Sequence, residues 1–128
     1  MPGRIEVGRY GFRGAKAVAS EHEDAVTVDC RVLIDPAKRP QQSRSSATPF
    51  ELDAIKAMLL AEQESETMKL VDRVVQGVLD GRVVCVRCRM GKHRSQAVAA
   101  IARDELNLHH PEVEFEGPVL LTGIRKTM

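Results

Sequence analysis

The chain has 128 residues, a length that suits one domain (1–128) and leaves little room for a second. Hydrophobic residues make up 43%, enough for a packed core, but aromatics are only 3% and Trp is absent, which argues against a stacking platform for single-stranded nucleic acid. With 19 basic and 18 acidic residues the net charge is +1, so overall charge points to neither nucleic acid nor a membrane, and only local clustering could.

No apolar run approaches the ~18 residues of a membrane span. The opening MPGRIEVGRYG lacks the apolar middle of a secretory signal. A cytoplasmic location follows as the expectation, with the three cysteines as free thiols.

In chain order, residues 5–7 (IEV) suit a short first strand. Gly8, Gly11 and Gly14 then punctuate a turn-rich loop carrying Arg9, Tyr10, Phe12 and Arg13. Residues 15–25 read as weakly helical or as a surface connection. VTVDCRVLI (26–34) is β-branched and predicts a second strand, with Asp29 and Arg31 near its end and Asp35-Pro36 stopping it. From Pro36 to Pro49 the chain is a polar, Ser-rich loop with Lys38, Arg39 and Arg44.

Two helices follow. Phe50, Leu52, Ile55, Met58 and Leu59 recur at helical spacing, and so do Met68, Val71, Val74, Val75 and Val78. Gly81 suits the end of the second. VVCVRC (83–88) is a short, nearly unbroken apolar run and predicts a buried, parallel-type strand. SQAVAAIARDEL (95–106) predicts an Ala-rich helix, and PEVEFEGPVLL a last edge strand. Strand, loop and helix in succession form half of a βαβ unit, so the fold class is α/β with a mostly parallel sheet and flanking helices.

Cys88-Arg89-Met90-Gly91-Lys92-His93-Arg94-Ser95 joins the buried strand to that helix. A helix N-terminus presents unpaired N–H groups and partial positive charge, which favour an anion. Gly91 permits close backbone approach, Lys92 and His93 add donors, and Arg94 can hold two phosphate oxygens at once. Ser95 can cap the helix or bind an oxygen. Ligands of open α/β sheets sit beyond the carboxyl ends of the strands, where this loop belongs. The segment therefore reads as a phosphate-binding strand-loop-helix. Its bland counterpart is a solvated helix start without a ligand.

Cys88 followed by five residues and Arg94-Ser95 also resembles the phosphate loop of cysteine-dependent tyrosine phosphatases. That resemblance implies a Cys88 nucleophile and an Arg94 phosphate clamp, with Lys92, Arg94 and the helix end favouring the thiolate. Such enzymes usually carry His before the Cys; here it is Arg87. No Asp is placed in sequence as a general acid, although folding could bring Asp29 or Asp35 near. A plain buried thiol is an equal reading of Cys88.

A second resemblance covers roughly residues 5–106. GKHRS after a strand ending in Cys and before an Ala-rich helix, VGRYGFRG, VTVDCRVLIDP and Arg39-Pro40 together resemble the C-terminal domain family of the RNase adapter protein RapZ. The departures are Arg89-Met90 where the family has Thr-Gly, Asp35 where it has Asn, and no nucleotide-binding domain beside this one. The resemblance implies a regulatory domain that binds a sugar phosphate or nucleotide-like ligand and presents RNA to a nuclease. It carries Asp29, Cys88, Gly91, His93 and Arg94 over as ligand residues. RNA would fall to local charge, for which Arg9, Arg13, Lys38, Arg39 and Arg44 are the candidates. An enzyme is the less favoured class, and no cofactor is expected. Cys85 and Cys88 lie three apart on a strand and face opposite sides, so a shared metal is not expected, and His109-His110 is read as an exposed loop. A homo-oligomer stays open.

Overall fold

The computed structural model describes residues 2–11, 13–35 and 51–127. In order come β1 (Gly3–Arg9), β2 (Val26–Asp29), a 3-10 turn (Cys30–Val32), α1 (Leu52–Glu62), α2 (Glu64–Leu79), β3 (Val83–Cys88), α3 (Arg94–His109) and β4 (Phe115–Leu120). The strands form one sheet in the order β2-β3-β1-β4, and every pairing is parallel. The expected α/β class is what the chain adopts, with the sheet wholly rather than mostly parallel. No described helix is long and apolar enough to cross a membrane.

The topology explains which face is covered. The steps β2 to β3, through α1 and α2, and β3 to β4, through α3, run the same way across the sheet. Right-handed crossovers then place all three helices on one face. That face holds Ile5, Val7, Val28, Val84 and Val86 in a single core with Ile55 and Leu59 of α1, Val71 and Val74 of α2, and Val98 and Leu106 of α3. The step β1 to β2 runs the other way, so its connection crosses the opposite face. There Val18 pairs with Arg9, and Gly8 lies under the Val18 carbonyl and beside Cys85 Sγ. Residues 15–25 are thus the surface connection of the two readings, not a helix. Beneath that connection Glu6 is buried and bonded to Arg4 Nε at 2.9 Å.

Several boundaries differ from expectation for local reasons. The strand expected over 26–34 stops at Asp29. The Asp29 carboxylate accepts the Arg31 N–H at 2.9 Å and rolls Cys30–Val32 into a 3-10 turn, because a short acceptor side chain competes with the ladder. The helix expected over 95–106 runs from Arg94 to His109, so His109 belongs to its last turn rather than to the loop. Gly81 has φ +74 just after α2, the left-handed shape that a helix stop favours. Cys85 and Cys88 face opposite sides of the sheet, and all three cysteines are free. Phe12, Phe50, Lys38, Arg39 and Arg44 lie outside the described residues.

Candidate functional site

β1, β2 and β3 end together, at Arg9, Asp29 and Cys88, with Arg9 beside Cys88 in register. The loop 89–93 leaves this edge and enters α3. His93 takes the N-cap position and no side chain caps the helix. A 16-residue helix therefore directs its positive end at the edge where parallel strands finish.

The loop's own shape depends on Gly91. Its φ is +67, and a Cβ there would sit 2.7 Å from both the Gly8 carbonyl oxygen and Ile124 Cδ1. Few other side chains tolerate that dihedral, and none fits that space.

Toward Leu121–Thr127 the loop is fixed by Gln96, which is 5% exposed. Its Nε2 donates to the Gly91 carbonyl at 2.9 Å and to the Arg125 carbonyl at 2.6 Å. Its Oε1 accepts from the Thr127 N–H at 2.8 Å. Thr127 Oγ1 donates in turn to the Lys92 carbonyl. A cavity of about 270 Å³ opens beside this clasp, lined by Arg9, Met90, Lys92, Gly123 and Arg125. Met90 is an exposed apolar wall, while Arg89 and Lys92 are also exposed.

Toward β2 the contacts are charged. Arg94 is 91% buried by its 9% exposure, and its guanidinium donates to the Leu33 carbonyl at 2.9 Å and the Arg31 carbonyl at 3.4 Å. Its Nε is buried and finds no partner among the described residues. Arg94 so braces the start of α3 against the end of β2, a structural duty that its reading as a phosphate clamp did not anticipate. His93 Nδ1 lies 3.4 Å from the Asp35 carboxylate. Asp29 is engaged by Arg31, Nε to Oδ1 at 3.0 Å and Nη2 to Oδ2 at 2.8 Å. Those bonds hold the Asp29 carboxyl below its ordinary value.

Cys88 and Ser95 turn inward. Both are buried, and Cys88 Sγ lies 3.1 Å from Ser95 Oγ. Ser95 is therefore occupied by the thiol rather than capping α3.

Three residues of this edge were not singled out from sequence. The guanidinium of Arg31 lies 3.7 Å from the centre of the Tyr10 ring and that of Arg87 lies 4.1 Å from it. Arg87 also donates to the Arg9 carbonyl at 2.9 Å. Burial and the Asp29 charge raise the Tyr10 hydroxyl pKa. The available signal was an arginine inside an apolar strand run, a costly position unless partners wait there. Gln96 and Arg125 were missed as well, since their partners are distant in sequence.

Asp29, Arg89, Met90, Gly91, Lys92, His93 and Arg94 thus gather at one strand edge, over buried Cys88 and Ser95. Arg9 joins them from β1. Arg13, with φ 52, sits in the turn beyond it. No family model, curated protein or solved structure matches the chain.

Proposed function

We propose that the chain binds a phosphorylated small molecule at the 88–95 loop, as a ligand-sensing domain of the kind its resemblance to RapZ C-terminal domains implies. One observation supports this most. An uncapped helix start meets the carboxyl edge of a parallel sheet, and the buried Arg94 stands at that start with its Nε unpartnered among the described residues. An oxyanion at this point gains both the helix amides and charge-assisted bonds.

Titration calorimetry with inorganic phosphate and a hexose 6-phosphate tests the reading. Arg94→Ala is expected to lose about 2 kcal/mol of binding. Melting of the unliganded variant is recorded alongside, because Arg94 also braces Leu33. Equal affinity of wild type and Arg94→Ala for both probes would sink the proposal.

A cysteine phosphatase is the competing reading, favoured by one placement. Folding brings Asp35 to the loop, 3.4 Å from His93, where an acid could serve. Against it, Cys88 is 2% exposed and the Arg94 guanidinium is turned to backbone carbonyls. Little or no hydrolysis of an aryl phosphate is expected. Robust turnover that vanishes in Cys88→Ser would promote the enzyme.

RNA is the second ligand the resemblance brings. With net charge +1, such binding would rest on phosphate contacts by local cations such as Arg9 and Arg13, and its affinity should fall steeply with salt. Gel shifts with structured RNA that show no complex at low salt would remove this role.

A further inference from the structure

We infer that the ligand carries two anionic groups, the second bound by Arg9, Lys92 and Arg125 in the notch on the far side of the 89–93 loop. The inference rests on the phosphate reading above and deepens it.

The notch is a distinct place. Arg94 and His93 leave the loop toward β2, where they meet Leu33 and Asp35. Arg9, Lys92 and Arg125 line a cavity on the other side, against the Leu121–Thr127 segment. Its volume of about 270 Å³ has room for a phosphate-sized group together with its water.

The charge there is uncompensated. Arg9, Lys92 and Arg125 form no ion pair with any described residue. Several cations elsewhere are paired locally: Arg4 with Glu6 and Glu116, Arg31 with Asp29, Lys56 with Asp104, Lys69 with Glu66. Three like charges on one cavity repel, and a dianion relieves that repulsion.

The backbones that carry the three are held in place. Arg9 is fixed by backbone bonds with Val18 at 2.8 and 3.0 Å. The Lys92 carbonyl is held by Thr127, and the Arg125 carbonyl by Gln96 at 2.6 Å. Each backbone is held by uncharged partners, which keeps the three attachment points close while the long side chains stay free to settle on a ligand. Met90 lines the notch, is exposed, and offers apolar contact to the carbon skeleton of the ligand.

The full chain is titrated with inorganic phosphate, glucose 6-phosphate and glucose 1,6-bisphosphate at fixed ionic strength. Wild type is expected to bind the bisphosphate at least ~10-fold more tightly than the monophosphate. In Arg9→Ala/Arg125→Ala that preference should fall to about twofold or less, with monophosphate affinity nearly unchanged. Lys69→Ala/Arg73→Ala on α2 removes the same charge elsewhere and should keep the preference. Arg125→Glu alone provides the check if the double variant unfolds, and it should abolish the preference outright. Bisphosphate binding no tighter than monophosphate, or a preference that survives loss of Arg9 and Arg125, overturns the two-anion inference and leaves the phosphate reading standing. No binding of any of the three probes overturns both.

Discussion

On its Leu121–Thr127 side the 89–93 loop is held by neutral groups: one glutamine amide, one hydroxyl and four backbone groups. On its β2 side it is held by charged ones, with Arg94 on two carbonyls, His93 against Asp35, and Asp29 locked to Arg31. The difference teaches a division of labour. Neutral bonds between buried groups are indifferent to salt and pH, so that side sets the shape. Ionisable groups respond to protons and ions, so that side carries the dependence on salt and pH.

The comparison breaks most visibly at Gln96. Gln96→Leu keeps the volume but strips the Gly91 and Arg125 carbonyls and the Thr127 N–H of their partner. A loss of about 3 kcal/mol in urea unfolding is expected, because unmet buried polar groups cost more than a hydrogen bond gains. The loss should be the same at low and high salt. A midpoint shift that salt erases would mean this side is electrostatic after all.

Gly91→Ala comes next. The added methyl group meets the Gly8 carbonyl and Ile124 at 2.7 Å, and alanine is strained at φ +67. About 2 kcal/mol should go, together with phosphate binding. Unchanged stability would show that the loop can take another shape.

The smallest effect is on the charged side. Arg31 holds the Asp29 pKa below its ordinary 3.8, so the folded state favours the ionised form. That contribution is complete above pH 3.8 and drains away as the pH falls through the lowered native value. Both partners are about half exposed, which keeps it under ~1 kcal/mol after solvent screening. Asp29→Asn should therefore be slightly destabilised at pH 7 and closer to wild type at about pH 3. A gap of the same size at both pH values would assign Asp29 a packing role instead.

The sequence was most informative where the pattern is local. The apolar run 83–88, Gly91 and the Ala-rich stretch after it announced β3, the loop and α3, and all three are present. It was least informative where a partner is remote. Gln96 and Thr127 are 31 residues apart, and His93 and Asp35 are 58 apart. No periodicity encodes such pairs; the topology makes them neighbours. Arg94 misled for another reason. An arginine at a helix start is ordinarily solvated, and only the placement of Leu33 turns it into a buried brace. The end of β2 was lost to a single carboxylate bonding its own backbone, which composition does not reveal.

The Gln96–Thr127 contact also sets an order of events in time. A ribosome adding roughly 5–20 residues per second takes a few seconds to make the stretch that separates the two. In that interval β1, β2, β3, α1 and α2 have all been synthesised. The loop itself is not yet closed. The Gln96 clasp on the 89–93 loop is therefore among the last contacts a growing chain can make, after all four strands have been synthesised.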